Sequence, residues 1–170
     1  MLAFEDGCQA MGRYPADKYA VPAEQVCTAL ARLTRAPLVA ARELLRQLAF
    51  AYLSGNGDAH AKNLAVVHEA GEWRVSPAFD VPRTYLYGDT TVALPLGGRG
   101  GAEVPRQAFI AFGKQLQLPE RAVTQALDEL CERVDLWLPD LDRLPFGRSR
   151  LAKLRRTIEY RRQLVRGLPV

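Results

Sequence analysis

The sequence predicts a mostly α-helical protein of the α+β class with one small β-hairpin. Two observations support this prediction. Apolar residues recur at helical spacing in several segments, and prolines at positions 22, 37 and 119 stand where helices can begin. Strand-like patterns occur only between residues 64 and 75. With 170 residues the chain is long enough to bury a core, and we expect residues 1–170 to form a single domain.

Two helices are expected in the first third of the chain. Residues 1–20 show no sustained period and predict turns, with one helical turn around residues 5–11. Pro22 is expected as the first residue of a helix, and Pro37 opens a second one that ends near Leu53, before the Ser-Gly-Asn-Gly run of residues 54–57. Their buried stripes are predicted to be Val26, Cys27, Leu30 and Leu33, then Leu38, Leu44, Leu45, Leu48 and Tyr52.

A hairpin and three further helices are expected in the remainder. Residues 64–67 form a compact apolar run, residues 73–75 alternate, and residues 69–72 (EAGE) suit the turn between them. Residues 82–101 predict a loop that includes the glycine-rich run 97–101. Helices are predicted over residues 106–116, 119–137 and 148–166, the last packing on its predecessor. The buried stripe of the last helix is predicted to be Leu151, Leu154, Ile158 and Val165.

The net charge of +4 is unevenly distributed. Residues 143–170 carry nine Lys or Arg and a single acid, Glu159, so this segment has a charge of +8 and the rest of the chain −4. Such a cluster can mark a contact surface for DNA or an acidic partner. The commoner origin is the solvated face of an amphipathic helix, and we favour that interpretation, with the last helix's basic residues on its flanks and exposed face.

The sequence also indicates the cellular compartment in which the protein is expected. Cys8, Cys27 and Cys131 lie far apart without metal-ligand spacing, which favours a reducing compartment over a disulfide framework. The first twenty residues carry several charges and no apolar signal-peptide core. No apolar run approaches the ~20 residues that span a bilayer. We therefore expect a cytoplasmic protein without a membrane segment.

Residues 54–80 carry the most informative polar pattern. Asp58 is followed by Asn63 five residues later, and Asp80 comes just after the predicted hairpin. Phosphoryl transfer from ATP needs a group that orients the nucleophile and accepts its proton, and Mg²⁺ held against the phosphates. A carboxylate base, an Asn at +5 and a second Asp past the next hairpin are arranged in this way in protein kinases. Each residue alone would suit a surface turn, but the combination favours the kinase interpretation.

Two motif blocks resemble the HipA toxin kinases of bacterial toxin–antitoxin systems. DAHAKN at residues 58–63 and SPAFD at residues 76–80 resemble the family's D-x-H-x-K-N and P-x-[YF]-D segments. FEDGCQAMG at residues 4–12 and KYAV at residues 18–21 resemble its E-D-x-C-Q-x-x-G…K-Y stretch. The resemblance covers nearly the whole chain, although beyond residue 101 it is one of general character. It implies the C-terminal lobe of a protein-kinase-like fold, with serine/threonine kinase activity when complete.

The resemblance implies roles for the polar residues of DAHAKN and SPAFD, which are called the second motif block below. Asp58 would be the catalytic base toward a Ser or Thr hydroxyl, and Asn63 and Asp80 would be the Mg²⁺ ligands. His60, Lys62 and Asn63 would lie at the nucleotide, ATP. The alternatives are that His60 pins the loop structurally and that Lys62 is simply solvent-exposed. FEDGCQAMG and KYAV are called the first motif block. Its polar residues are interpreted as packing and polar scaffold, namely Glu5, Asp6, Gln9, Lys18 and Tyr19.

A kinase of this type also needs an N-terminal lobe with a phosphate-covering loop and a strand lysine. Neither pattern occurs in the sequence, since the only glycine-rich run follows Asp80. We therefore expect the ATP-binding lobe to be absent from this chain, and the chain alone to be inactive and to bind ATP poorly. A separately encoded N-terminal lobe is then an expected partner, and residues 1–19 should border exposed apolar surface.

Two other functions stay open at this point. A catalytically silent module could hold an antitoxin, or DNA through the basic last helix. A small-molecule phosphotransferase of the aminoglycoside or choline type also has an Asp and an Asn five residues apart, although the FEDGCQAMG block argues against it. For a protein kinase, the family implies aminoacyl-tRNA synthetases as the substrate class.

Overall fold

Six helices and three strands form the regular structure of residues 3–96 and 103–169, the part of the chain described by this computed structural model. The strands are β1 (Ala3–Asp6), β2 (Ala65–Glu69) and β3 (Glu72–Val75). The helices are α1 (Gly7–Ala10), α2 (Ala23–Leu33), α3 (Pro37–Ser54), α4 (Arg106–Gln115), α5 (Glu120–Trp137) and α6 (Arg148–Arg166). Short 3₁₀ helices cover Pro15–Asp17, Ala61–Asn63, Thr84–Tyr87 and Leu138–Arg143. The predicted fold class, mostly helical with a small sheet, is confirmed.

The strands form an antiparallel sheet in the order β1-β2-β3. The predicted hairpin is β2 and β3, in which Glu69 pairs with Glu72. Its two turn residues, Ala70 and Gly71, both have positive φ, at 50° and 83°, as a tight hairpin turn requires. The loop over residues 58–63 precedes this hairpin directly.

The helical turn predicted around residues 5–11 is present as α1, but strand β1 was not predicted. The sequence AFED does not have the apolar alternation that is typical of a strand. In the structure only its last residue, Asp6, is buried. Tertiary pairing compensates, since Phe4 lies opposite Val67 and Asp6 opposite Ala65 on the edge of β2. The amide of Gly7 then donates to the carbonyl of Leu64 at 2.9 Å. The segment FEDGCQAMG is thereby joined to Leu64, the residue that follows DAHAKN.

Helix α3 lies at the centre of the helical packing and contacts α2, α4, α5 and α6. It ends as predicted, because Gly55 adopts φ 77°, a left-handed conformation that suits glycine. Two predicted core positions are wrong, since Leu33 and Leu38 are 40% and 53% exposed at the junction of α2 and α3. Pro22 is the residue before the first turn of α2 and not its first helical residue.

The three C-terminal helices lie where the periodicity predicts them. Helix α6 packs on α5 as expected, with Leu154, Ile158 and Val165 buried and Leu151 half-buried. The prediction for Arg161 is wrong, because this residue is only 3% exposed and not on the flank or outer face of the helix. Its guanidinium donates to the carbonyl oxygens of Tyr52 at 2.6 Å and Thr90 at 3.0 Å, which offsets the cost of burying it.

The core joins the helices to the segment that follows Asp80. Leu94 and Leu96, in the predicted loop, are each 2% exposed and belong to the same hydrophobic cluster as α3 and α5. The glycine-rich run 97–101 lies outside the described residues. On the other side of residues 97–102, Val104 is buried and donates its amide to the Tyr52 hydroxyl at 3.1 Å. Leu96 and Val104 therefore both belong to the core.

The cysteine and membrane predictions can be compared with the structure. Cys8, Cys27 and Cys131 are free and buried, and burial raises the pKa of each thiol. The prediction that no disulfide framework exists is confirmed, whereas the reducing compartment stays a prediction. Within residues 3–96 and 103–169, none of the helices is both long and apolar enough to cross a membrane.

Gly7 brings α1 into close contact with the loop that precedes β2. A Cβ atom added there would lie 2.5 Å from the carbonyl oxygen of Ala61 and from Cγ1 of Val26. Gly7→Ala should therefore lower the free energy of unfolding by about 1–3 kcal/mol, as overpacking does, measured by urea denaturation. The control is Gly147→Ala, where φ is −63° and the added Cβ meets open space. It should cost less than about 1 kcal/mol, and equal losses at both positions would contradict the close contact.

Candidate active site

The loop between α3 and β2 holds Asp58 in a tight turn. The buried Asn56 side chain accepts a hydrogen bond from the Asp58 amide at 2.9 Å, and the His60 amide donates to the Asp58 carbonyl at 2.8 Å. An Asn that bonds the backbone two residues later is a common turn device. The Asp58 side chain is half-buried, so it is held in place and open to a reactant.

Asn63 and Asp80 are direct neighbours. The Asn63 amide nitrogen donates to Oδ2 of Asp80 at 2.7 Å, and Oδ1 of Asn63 accepts from the His60 amide at 3.1 Å. Asn63 is buried and Asp80 exposed, so the pair lies at the mouth of the loop. Asp80 has a φ of 48°, a left-handed conformation that is uncommon for a residue other than glycine. The two predicted Mg²⁺ ligands are thus brought together across the hairpin, while their role stays a prediction.

Tyr19 contacts the predicted catalytic base, which sequence reasoning missed. Its hydroxyl donates to Oδ1 of Asp58 at 2.5 Å. This hydrogen bond is the main reason why the pKa of the Tyr19 phenol is raised, and burial raises it further. The interpretation of Tyr19 as scaffold is therefore incomplete, because it contacts a residue 39 positions later in the sequence. The KY pair in the first motif block was the signal that could have identified it.

The His60 ring is buried beside Tyr19. It is 5% exposed, and its ring meets that of Tyr19 edge to face at 5.1 Å. Burial lowers the pKa of His60, and the charge of Lys18 lowers it further. Within the described residues, its Nδ1 is buried and has no hydrogen-bond partner. This packing favours the structural alternative for His60, and contact with a nucleotide stays a prediction.

Lys62 is half-exposed and forms an ion pair with Asp6. The alternative that Lys62 is simply solvent-exposed does not account for this contact. The Nζ atom of Lys62 lies 3.6 Å from Oδ2 of Asp6. Asp6 is buried at the start of α1 and is fixed there by reciprocal hydrogen bonds with Gln9, each of 2.9 Å. The backbone adds a further link, because the Ala61 amide donates to the Lys18 carbonyl at 3.1 Å. The two motif blocks therefore build one site.

The oxygen atoms at Asn63 and Asp80 fit a magnesium ion in chemistry. Mg²⁺ prefers carboxylate and other hard oxygen ligands, and commonly uses one or two carboxylates together with substrate phosphates. Asp80 supplies a carboxylate at the open side, and Asn63 supplies a carboxamide held next to it. Among residues 3–96 and 103–169, no group of three or more His, Cys, Asp or Glu side chains is placed to hold a metal ion.

The segment after Asp80 packs against the same loop. The amide of Gly57 donates to Oγ1 of Thr84 at 2.7 Å, and the amide of Tyr85 donates to the Gly55 carbonyl at 3.1 Å. A Cβ atom added at Gly57 would collide with the carboxylate of Asp89. Glycine is therefore required beside Asp58, where residues 84–89 form one wall of the site.

Comparison with known proteins places this site in a family. The HipA-like C-terminal domain matches residues 1–138. The Sinorhizobium fredii protein named "Putative kinase Y4mE" is 31% identical over 173 residues, which cover 95% of this chain and 41% of that protein. A Haemophilus influenzae protein named "Putative kinase" is 27% identical over 122 residues, covering 61% of this chain and 36% of its own. The chain thus spans about two fifths of the length of these curated relatives.

A solved structure shares the fold. It is the complex of the Shewanella oneidensis MR-1 toxin–antitoxin proteins HipA and HipB with operator DNA, matched with a TM-score of 0.82 and 21% identity. The match covers 99% of this chain and 46% of that chain. The predicted protein-kinase-like lobe is therefore confirmed as a fold. Because the family match extends over most of its length, this chain belongs to the HipA-like C-terminal domain family.

Proposed function

We propose that the chain is the catalytic lobe of a HipA-like serine/threonine protein kinase, which transfers the γ-phosphoryl group of ATP to a hydroxyl of a protein. The observation that carries this proposal is the placement of Asp58, Asn63 and Asp80 around one loop, the first held by Tyr19 and the other two in contact. These residue types in this order match the needs of phosphoryl transfer.

Asp58 acts as the general base. Tyr19 donates to Oδ1, and within the described residues no hydrogen-bond donor contacts Oδ2. Oδ2 is therefore the atom that accepts the hydroxyl proton of the substrate as its oxygen attacks the γ-phosphorus. The hydrogen bond from Tyr19 orients the carboxylate for this step, since a base must be within hydrogen-bond reach of the proton it removes.

Asn63 and Asp80 would hold Mg²⁺, and Lys62 would stay near the phosphates. A bound Mg²⁺ would supply positive charge against the charge that develops on the phosphate. Asp80 contributes an exposed carboxylate, and Asn63 lies beside it. The amide nitrogen of Asn63 faces Asp80 and its Oδ1 accepts from the His60 amide, so the carboxamide would have to turn to present Oδ1 to the ion. The ion pair with Asp6 fixes Lys62, whose charge can then offset that of the nucleotide. His60 supports the loop from beneath through its buried ring.

ATP binding by this lobe requires a second lobe that covers the phosphates. The sequence has no strand lysine or phosphate-covering loop, and it aligns with only 41% of the Y4mE protein. Exposed aromatic side chains near the start of the chain, Phe4 at 43% and Tyr14 at 80%, support a docking surface for that lobe. β1, which contains Phe4, is an edge strand of the sheet.

An antitoxin is a further proposed partner, because the structural neighbour was solved with HipB and operator DNA. Direct DNA contact by α6 is less favoured. Arg155 is paired with Asp142, and Arg162 and Arg166 are paired with Asp135, so part of the helix charge is neutralised. An aminoacyl-tRNA synthetase as the protein substrate rests on the family resemblance alone.

The proposal is tested by calorimetry of ATP binding in the presence of Mg²⁺. The chain alone should bind ATP weakly or below detection, and the chain with an N-terminal lobe should bind it measurably. That combination is called the complete kinase below. Absence of ATP binding by the complete kinase would contradict the proposal.

Tyr19→Phe should lower kcat of the complete kinase by roughly 10-fold to 100-fold, the value of a hydrogen bond to a charged group. The phenylalanine keeps the ring beside His60 but cannot donate to Asp58. KM for ATP should change little, because Tyr19 contacts the base and not the predicted metal ligands. Tyr14→Phe is the control, since Tyr14 is 80% exposed. An unchanged kcat in Tyr19→Phe would show that this hydrogen bond does not position the base.

A further inference from the structure

A concave cavity of about 400 Å³ lies beside the candidate active site, between α6 and the segment after Asp80. One wall is a face of α6, on which lining residues recur at spacings of three and four. They are Lys153, Arg156, Thr157, Tyr160 and Arg161. Tyr85 and Thr90 form the opposite wall. Three cations and several hydroxyl groups therefore line it.

The cations of this cavity lack the carboxylate partners that three other cations of α6 have. Arg155, Arg162 and Arg166 are ion-paired with aspartates. Within residues 3–96 and 103–169, no ion pair is formed by Lys153 or Arg156, or by the third cation of the cavity, Arg161. The charge on this face of α6 is thus not neutralised by an ion pair, although Lys153 Nζ lies 5.3 Å from the centre of the Tyr85 ring.

Arg161 is prepared for an anion before one arrives. Its guanidinium is fixed by the Tyr52 and Thr90 carbonyls and lies over the Tyr52 ring at 4.6 Å. A guanidinium that is already ordered loses little entropy on binding an anion. The cavity also contains one carboxylate, Glu103, which accepts a hydrogen bond from the Tyr160 hydroxyl at 2.5 Å. Three cations face this single acid, so the balance is positive.

The cavity shares a wall with the loop that carries Asp58. Tyr85 lines the cavity and donates its amide to the Gly55 carbonyl at 3.1 Å. Its neighbour Thr84 accepts a hydrogen bond from the amide of Gly57, the residue before Asp58. The cavity and the loop that carries Asp58 are therefore joined through Thr84 and Tyr85.

We propose that this cavity is a substrate-specificity subsite, which binds an anionic side chain of the protein substrate close to the phosphorylated Ser or Thr. The anion is a carboxylate of Asp or Glu, or a phosphate already present on the substrate. Lys153 and Arg156 attract it, and Arg161 fixes it with charge-assisted hydrogen bonds. The proposal rests on the proposed function for the substrate class, but binding in the cavity does not require catalysis.

A protein anion suits this site better than nucleic acid. The cations line a concavity that also holds a carboxylate, whereas a duplex is gripped by exposed cations that follow its phosphates. The position beside the base likewise suits a substrate side chain.

The experiment measures binding of fluorescent peptides to the full chain by anisotropy, without ATP or Mg²⁺. Two peptides share one sequence around a central Ser, flanked by Glu in one and by Gln in the other. A third carries phosphoserine in place of the flanking Glu. The Glu and phosphoserine peptides should each bind at least about tenfold more tightly than the Gln peptide, as expected for charge-assisted contacts. The arm with the larger preference identifies carboxylate or phosphate as the preferred anion.

Lys153→Glu with Arg156→Glu should remove this preference. The matched control is Arg133→Glu with Arg148→Glu, because both positions are exposed and the net charge changes equally. Thermal unfolding of both double variants by circular dichroism verifies that they fold. The proposal is overturned if the Gln peptide binds equally well, or if the control loses the preference too. It is also overturned if the cavity variant loses only binding to duplex DNA, which would indicate a nucleic-acid site.

The two proposals fail separately. Asp58→Asn should leave the ratio of Glu-peptide to Gln-peptide affinity unchanged, since Asp58 lies outside the cavity lining. Loss of phosphoryl transfer with a retained Glu preference would remove the kinase assignment and keep the anion site. Phosphoryl transfer by the complete kinase without a Glu preference would remove the anion site and keep the kinase assignment.

Discussion

Asp58→Asn should lower phosphoryl transfer by the complete kinase by about 10²-fold to 10⁴-fold, the usual contribution of a general base. Asparagine has the size of aspartate and keeps an oxygen that can accept the hydrogen bond from Tyr19. It cannot take up the hydroxyl proton, so the loss should appear in kcat. The measurement is the transfer of labelled γ-phosphate to a protein substrate at saturating ATP.

The control for this variant is Asp140→Asn, which makes the same chemical change on the 3₁₀ helix after α5. Asp140 is exposed and paired only with Arg143, at 3.5 Å. Its loss should leave transfer within about twofold, because an exposed ion pair contributes little. Comparable transfer by Asp58→Asn and the unaltered kinase would remove Asp58 from the mechanism.

The 170-residue chain by itself should transfer phosphate below the limit of detection. Positioning of reactants supplies ~7–11 kcal/mol of a barrier. The sequence has no recognisable phosphate-covering loop or strand lysine, which complete the positioning of the ATP phosphates in kinases. Addition of an N-terminal lobe that supplies the phosphate-covering loop and the strand lysine should restore transfer.

A matched addition separates docking from catalysis. The same N-terminal lobe with its strand lysine changed to alanine should still bind the chain through the surface near Phe4 and Tyr14. It should restore little transfer. Robust phosphorylation of a protein by the purified chain without any added lobe would contradict the division of roles between the lobes.

Local patterns in the sequence were sufficient to predict most helices and the hairpin. Pro37 and Gly55 mark the two ends of α3, and the EAGE turn sets the register of β2 and β3. Such signals are contained within a few residues, so they survive without knowledge of the fold. The placement of Asn63 beside Asp80 was also predictable, because a hairpin returns the chain to its starting edge.

Contacts between distant segments were not predictable in this way. β1 forms only because β2 provides an edge for it, and its own residues have no strand pattern. Tyr19 meets Asp58 across 39 residues, and Arg161 reaches the Tyr52 carbonyl across 109. A basic residue in a basic helix looks solvated in sequence, and only the backbone carbonyls around Arg161 explain its burial.

The metal dependence of ATP binding tests the central claim most directly. Calorimetry of the complete kinase should show tighter ATP binding with Mg²⁺ than with EDTA. Asp80→Asn should remove most of this difference, because it takes away the carboxylate proposed to hold the ion beside Asn63. If Asp80→Asn kept the same Mg²⁺ dependence as the unaltered kinase, the assignment of this site as the kinase metal centre would be contradicted.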